Sequence, residues 1–149
     1  MINNNDYIRY SDVLSRKYKF YYKDIEGVMD EFINDVKKSG VKIKGPVFYS
    51  INDILSDEIV YGQLFAPIES DDIHIPEGME FSSYFSIENV ISICIYDNFE
   101  QNAKAGYENL MNYLKENNLE QVTPVFNIIG GDEYFTYLWL KIGVAQLRQ

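Results

Sequence analysis

The sequence predicts an α+β fold in a single domain, 1–149, built from two copies of a strand–helix–strand–strand unit. With 149 residues, 46% of them apolar, the chain can bury a core of its own. Residues 37–48 align without a gap on residues 115–126, at an offset of 78, and Pro-Val-Phe occupies the same place in both. The chain therefore contains an internal repeat, which is the main basis for the fold prediction.

The alignment keeps its register on both sides of this segment. Downstream, Tyr61–Leu64 aligns with Trp139–Ile142. Upstream, apolar residues at the three-and-four spacing of an amphipathic helix align pairwise. They are Ile25, Met29, Phe32, Ile33 and Val36 in the first copy, and Ala103, Tyr107, Leu110, Met111 and Leu114 in the second. We assign repeat one to about 12–68 and repeat two to about 89–144.

Each copy yields four elements. In the first copy we predict strands at 12–21, 45–51 and 59–68 with a helix at 23–39. In the second we predict strands at 89–96, 123–129 and 134–144 with a helix at 99–117. Gly40 and Asn118 stand where a left-handed residue ends a helix, and Asp97 with Glu100 resembles a capping box. Neither copy has enough core to stand alone, so we expect one domain with pseudo-twofold symmetry, joined by an acidic connection at 69–78.

Composition limits the partners. Thirteen basic and twenty-three acidic residues give a net charge of −10, which repels a phosphate backbone and argues against nucleic-acid binding. A basic protein partner stays open. We expect no membrane association, because the sequence has neither a leader-like N-terminus nor an apolar stretch of membrane-spanning length. With Cys94 as its single cysteine, the chain is expected to be cytoplasmic.

The residues offer little chemistry for catalysis. His74 is the single histidine, and no second histidine or cysteine exists to complete a zinc site. Gly130-Gly131-Asp132 is typical of a hairpin turn rather than a phosphate-binding loop. No nucleophile–base pair is evident. We therefore expect no catalytic residue, metal or cofactor, and a protein that is not an enzyme.

One stretch resembles a known family. Phe99-Glu100, followed by the segment from Tyr107-Glu108 to Asn117-Asn118, resembles the second helix of the gyrase-inhibitor-like superfamily. This superfamily includes the effector-binding domains of multidrug-sensing transcription activators. The resemblance implies an antiparallel sheet with both helices on one face and a ligand groove on the other. It also implies binding of bulky, often cationic aromatic compounds, or of a protein such as gyrase, and some members have gained hydrolase activity.

The sequence departs from that family in two ways. Only about a dozen residues precede the first predicted strand, so we expect no DNA-reading helix-turn-helix in front of the domain. Ligand-binding members often carry a Glu in the last strand to meet the cation, whereas this sequence places Trp139 there. Lys141 follows on the same face. The missing acid argues against cation recognition and favours a neutral or anionic ligand anchored by Lys141.

Strand alternation predicts which side chains face the groove. The uniformly apolar face of the last strand should pack under the helices; it consists of Leu138, Leu140, Ile142 and Val144. The opposite face of the two aligned strands supplies the candidate ligand-binding residues Tyr61, Gln63, Phe65, Tyr137, Trp139 and Lys141. Symmetry should bring Tyr61 near Trp139 and Gln63 near Lys141. Alternatively, these rings fill the groove themselves or form a homodimer interface.

These expectations favour a standalone binding module for a bulky apolar or aromatic small molecule. The alternative is a protein-interaction module, such as an inhibitor, adaptor or chaperone-like accessory protein, possibly of a secreted-toxin locus. A hydrolase of the same fold is the third reading. The acidic surface and the missing groove acid favour the second reading, and the aromatic face favours the first.

Overall fold

The structure, a computed structural model, describes residues 1–55, 57–69, 74–132 and 134–148. Over these residues the predicted α+β class is confirmed, with two α-helices and six strands. The elements, in chain order, are β1 (Ile2–Tyr21), a 3-10 turn (Tyr22–Asp24), α1 (Ile25–Lys38), β2 (Phe48–Ile54), β3 (Ile59–Pro67), β4 (Glu80–Ile95), α2 (Phe99–Glu116), β5 (Leu119–Gly131) and β6 (Thr136–Gln146).

The chain forms two compact units. The first unit is Arg9–Phe85, and the second unit comprises Met1–Ile8 and Ser86–Gln149. In the first unit β3 pairs antiparallel with both β1 and β2, and in the second β6 pairs antiparallel with both β4 and β5. The two units thus share an element order and a pattern of strand neighbours. The single-domain assignment and the repeat boundaries stay predictions.

The core of the first unit lies between α1 and one face of its strands. Phe32 and Val36 of α1 are fully buried and pack with Leu14 of β1 and Leu64 of β3. Burial of this apolar face is what holds the helix in place, because a helix of this length is marginal alone. The helix ends before Gly40, whose φ of +83° confirms the predicted left-handed cap.

The core of the second unit is built in the same way. Leu110 and Leu114 of α2 pack against the face of β6 that the sequence predicts to lie under a helix, which is confirmed for Leu138, Leu140, Ile142 and Val144. Gly106 lets α2 approach closely, since a Cβ atom there would lie 3.3 Å from side-chain atoms of Ile93, Ile95 and Leu140. After α2, Asn118 has the predicted left-handed conformation, with φ of +53°.

Three strands begin earlier than predicted. β5 begins at Leu119 rather than at 123, and two other strands differ by more. β1 begins at Ile2 rather than at 12, and β4 begins at Glu80 rather than at 89. Asp12 and Asn89, where the predictions begin, are both left-handed, with φ of +57°. A left-handed residue interrupts the two-residue alternation by which strands are recognised, so only the regular half of each strand was predicted.

The start of α2 also differs from prediction. The residue before the helix is Asn98, which is left-handed with φ of +44°, and no side chain caps the helix. Asp97 instead accepts a hydrogen bond of 3.1 Å from Nδ2 of Asn102. The capping box predicted from Asp97 and Glu100 is therefore wrong.

The predicted connection at 69–78 is described only in part, because residues 70–73 lie outside the described residues. Beyond them, the amide of Met79 donates to the carbonyl of Pro76, and Nη2 of Arg16 donates to the carbonyl of Glu77 at 3.0 Å. Arg16 also forms a 2.7 Å ion pair with Asp35 of α1, so one guanidinium joins β1, α1 and this turn. Across the described ranges, no helix has the length and apolar character needed to cross a membrane.

Candidate functional site

The candidate site of the second unit lies on the face of its strands opposite to α2. Because β6 alternates, Tyr137, Trp139 and Lys141 project to this face while the intervening residues enter the core. The register places Trp139 between Cys94 of β4 and Ile128 of β5. Residues directly opposite one another share a face, so these neighbours form the surroundings of the Trp139 ring.

Four rings follow one another along this face, and we call them the aromatic row: Tyr96, Phe135, Tyr137 and Trp139. Successive ring centroids are 5.8, 6.1 and 6.4 Å apart, and the last pair meets edge to face. Tyr96 and Phe135 are 58% and 51% exposed, whereas Tyr137 and Trp139 are half-buried. Adjacent exposed rings on a folded surface are typical of a binding site.

Tyr96 is the ring at the exposed end of the row. The side-chain hydrogen bond with Cys94 raises the pKa of its phenol. Cys94 is half-buried and not part of a disulfide. The hydroxyl of Tyr96 therefore stays protonated at neutral pH, and this end of the row is uncharged.

An ion pair forms the inner end of the row. Nζ of Lys141 lies 3.1 Å from Oδ2 of Asp6, in the N-terminal part of β1, and 5.2 Å from the centroid of the Trp139 ring. It also donates to the carbonyl oxygen of Tyr7 at 3.3 Å. The side chains of Lys141 and Asp6 are only 16% and 14% exposed, so this pair is shielded from most of the solvent.

The Asp6 carboxylate is fixed by more than Lys141. Oγ of Ser92, which is fully buried, donates to Oδ2 of Asp6 at 2.6 Å, and the amide of Tyr7 donates to Oδ1 at 2.7 Å. Burial by itself would raise the pKa of Asp6. The hydrogen bonds from Ser92 and the Tyr7 amide, together with Lys141, outweigh burial and hold the pKa of Asp6 below its ordinary value.

Asp6 lies in the candidate site, and the sequence reasoning missed it. The last strand lacks an acid, as expected, but β1 brings one to the same face. The expected anchor for an anionic ligand, Lys141, therefore already has a carboxylate partner. The even-numbered positions Ile2, Asp6 and Ile8 share one face of β1 and are less exposed than their neighbours. That alternation was the available signal, but the polar segment Asn3-Asn4-Asn5 does not read as a strand.

The first unit carries the other three predicted residues on one face of β3. Tyr61 is 44% exposed, with the ammonium of Lys19 5.8 Å from its ring centroid. Nε2 of Gln63 donates to Oγ of Ser15 at 3.2 Å. The cross-strand register explains both contacts, because Lys19 lies opposite Tyr61, and Ser15 lies two register pairs away from Gln63 and therefore on the same face.

Phe65 lies in a different environment from Tyr61. It belongs to what we call the phenylalanine cluster, which consists of Tyr10, Phe48, Phe65 and Phe85. The Phe65 and Phe48 rings are stacked with centroids 4.7 Å apart and planes inclined by 7°, and Phe85 lies 5.1 Å from Phe65. Phe65 is only 5% exposed, so its ring packs chiefly against protein.

The six predicted residues fall into two sets. Tyr61, Gln63 and Phe65 belong to the first unit, and Tyr137, Trp139 and Lys141 belong to the second. The structure brings the members of each set onto one face. The predicted proximity of Tyr61 to Trp139, and of Gln63 to Lys141, stays a prediction, as does the ligand-binding role of all six.

Other candidate chemistry is sparse. His74 is exposed, and in the described part of the chain no three His, Cys, Asp or Glu side chains group as metal ligands would. A concavity of about 250 Å³ lies beside the start of α2, lined by residues that include Ile93, Asn102 and Gly106. Tyr96 of the aromatic row also contributes to this lining, with Cys94 and Asp97, so the concavity adjoins the exposed end of the row.

Several solved structures share this fold. The C-terminal domain of EcmrR superposes with a TM-score of 0.72 at 10% identity, covering 96% of this chain and 99% of that one. SAV2435 bound to tetraphenylphosphonium gives 0.52 at 11% identity, covering 93% of each chain. A hydrolase from Listeria innocua gives 0.54 at 11% identity, covering 95% of this chain and 93% of that one.

At such low identity these similarities establish the fold alone, and the resemblance predicted from the sequence is confirmed as a likeness of fold. Among curated proteins, none matches this sequence significantly. The model of one protein family, described as a domain of unknown function (DUF5085), matches residues 9–146. This match spans most of the sequence and includes both helices, and the chain therefore belongs to the DUF5085 family.

Proposed function

We propose that this protein is a binding module that takes a bulky, apolar aromatic molecule on the aromatic row of its second unit. The observation that carries the proposal is the continuous series of rings from Tyr96 to Trp139, exposed at one end and closed by an ion pair at the other. Support also comes from the fold, since SAV2435 is similar in fold and was solved with tetraphenylphosphonium.

The chemistry of the row suits such a ligand. Aromatic pairs add about 0.5–1.5 kcal/mol each beyond the area that they bury, so contact with two or three rings favours a planar ligand over an aliphatic one of equal size. The half-buried Trp139 offers the largest surface and lies next to the polar end. A ligand ring stacked there would be held by apolar contact, with its polar edge towards solvent.

The sole tryptophan gives a direct test. N-phenyl-1-naphthylamine, a neutral aromatic dye, should bind saturably at micromolar concentrations and quench Trp139. Tyr137→Ala should weaken binding about tenfold by removing a neighbouring ring. The matched control is Tyr107→Ala, which removes an exposed tyrosine from α2, outside the row. Binding that is absent, or that both variants weaken equally, would contradict the proposal.

The exposed end of the row favours a second candidate, a protein-interaction module. Tyr134, which precedes Phe135 in the sequence, is 89% exposed, and exposed aromatic side chains are enriched at protein interfaces. The partner would be a second copy of this chain or a basic protein attracted by the net charge of −10. Sedimentation velocity over a hundredfold concentration range tests the homodimer, which Phe135→Ser should dissociate.

A hydrolase function is the third candidate. We propose against it, because we expect that the protein is not an enzyme. Because a hydrolase from Listeria innocua has a similar fold, hydrolase activity is tested by experiment. Turnover of 4-nitrophenyl esters that Tyr61→Phe abolishes would reverse the proposal, because it would identify the Tyr61 hydroxyl as a catalytic group.

A further inference from the structure

The ammonium of Lys141 is surrounded by the groups that recognise an organic cation. It lies 5.2 Å from the ring centroid of Trp139, 3.1 Å from a carboxylate oxygen of Asp6 and 3.3 Å from the carbonyl oxygen of Tyr7. An aromatic ring, an anionic oxygen and a carbonyl oxygen are the partners that bound ammonium groups find in proteins. The Lys141 ammonium thus occupies the place that an organic cation would take between Trp139 and Asp6.

The Asp6 carboxylate has hydrogen-bond donors other than Lys141. Ser92 holds Oδ2 of Asp6 at 2.6 Å and the Tyr7 amide holds Oδ1 at 2.7 Å, so the carboxylate keeps its orientation through two other donors. Ser92 is fully buried, and the Asp6 side chain is only 14% exposed. Removing the ammonium would leave a shielded negative charge beside an aromatic ring, and such a charge favours a cationic partner.

We infer that Lys141 sets the charge specificity of the aromatic row by acting as a built-in cation. While Lys141 is present, Asp6 is neutralised, so the row accepts neutral aromatic molecules and rejects organic cations. When Lys141 is replaced by an uncharged residue, Asp6, Ser92 and Trp139 become an open site for an aromatic cation. This inference rests on the proposed function, because it assumes that the row binds a ligand.

Three phenyl-bearing probes of different charge test the inference. Tetraphenylphosphonium and tetraphenylborate share a tetrahedral shape, and triphenylphosphine oxide is a smaller neutral compound. Their affinities are measured by calorimetry at low ionic strength. The wild-type protein should bind the neutral oxide more tightly than the phosphonium. Lys141→Met should bind the phosphonium at least tenfold more tightly than the wild type does and should lose affinity for the borate. Lys141→Gln is a second neutral variant, whose amide can still donate to the Tyr7 carbonyl.

Two control variants separate charge from shape. Lys141→Arg keeps the cation and should keep the rejection of phosphonium. The double variant Asp6→Asn/Lys141→Met lacks both charges and should lose the gain in phosphonium affinity. Tight phosphonium binding by the wild type overturns the inference. The inference is also overturned if Lys141→Met and Lys141→Gln both bind the phosphonium no more tightly than the wild type does, while the oxide still binds. If neither the oxide nor N-phenyl-1-naphthylamine binds to any variant, the proposed function fails as well. Dye binding that persists while the phosphonium affinities stay unchanged overturns the inference alone.

Discussion

The ring of Tyr137 lies against the backbone of Gly130, its cross-strand partner. A Cβ atom at Gly130 would come within 2.7 Å of Cε2 and 2.9 Å of Cζ of Tyr137, closer than real Cβ contacts. The missing side chain on β5 therefore makes the space that the central ring of the aromatic row occupies. Pairing an aromatic residue with a glycine across a sheet covers the exposed glycine backbone and fixes the ring.

Gly130→Ala should displace the Tyr137 ring with little loss of stability. The overlapping atoms are the far end of a side chain that can rotate, so we expect the free energy of unfolding to fall by about 1 kcal/mol or less. Binding of N-phenyl-1-naphthylamine should weaken about three- to tenfold, the worth of one aromatic contact. Denaturant unfolding and the dye titration measure the two effects. Full retention of binding would show that Tyr137 does not contact the ligand.

Gly27→Ala supplies the matched control and a prediction of its own. Gly27 lies exposed inside α1, and a Cβ atom there would meet nothing within 4 Å. Alanine is the better helix former, so this variant should gain about 0.5–1 kcal/mol in the free energy of unfolding. Its dye binding should equal that of the wild type. A loss of stability would mean that α1 is not a regular helix at this position.

Alkaline pH should destabilise the first unit through Tyr49. Burial of this phenol beside the α1 core, with a smaller contribution from Tyr22, raises its pKa to about 12. Because the folded protein holds the proton more tightly than the unfolded chain, Tyr49 contributes stability that is complete below pH 10. This contribution, roughly 3 kcal/mol at most, is lost as pH rises towards 12.

Tyr49→Phe removes this titration and should flatten the fall in stability between pH 10 and 12. The comparison uses denaturant unfolding of both proteins at several pH values, with phenolate absorbance at 295 nm to follow ionisation. Equal slopes for the two proteins would show that Tyr49 ionises freely in the fold.

Acid should weaken the second unit through Asp6, whose folded pKa lies below the ordinary value of 3.8. A lowered pKa means that the folded state favours the carboxylate, so its contribution is present above pH 3.8 and is lost as pH falls through the folded value. Asp6→Asn should therefore be less stable than the wild type at pH 7. The difference should shrink on acidification, as measured by thermal unfolding at matched ionic strength. A difference that stays constant with pH would assign the loss to packing instead.

Local patterns in the sequence predicted most of the fold. The apolar spacing that marked both helices is the spacing that buries Phe32 and Val36 in one unit and Leu110 and Leu114 in the other. Alternation along β6 also assigned its two faces. These features depend on residues close together in the chain, where periodicity is informative.

The candidate site was harder to predict, because its decisive contact joins distant residues. Asp6 and Lys141 stand at opposite ends of the sequence, and nothing local to either indicates the other. Strand alternation placed Phe65 on the expected face of β3 but could not predict that Phe48 and Phe85 pack against it. Periodicity gives the direction of a side chain, whereas its exposure depends on the partners that the tertiary fold supplies.

The division of the chain between its two units has a consequence for biosynthesis. Residues 9–85 of the first unit are continuous, whereas the second unit combines residues 86–149 with residues 1–8, which precede the first unit in the sequence. Asp6 is translated before Ser92 and Lys141 and meets them only after both have been made. The nascent chain must therefore carry residues 1–8 without these partners while the whole first unit is being made. A protein trimmed to the family-matched residues 9–146 would never acquire that strand segment at all.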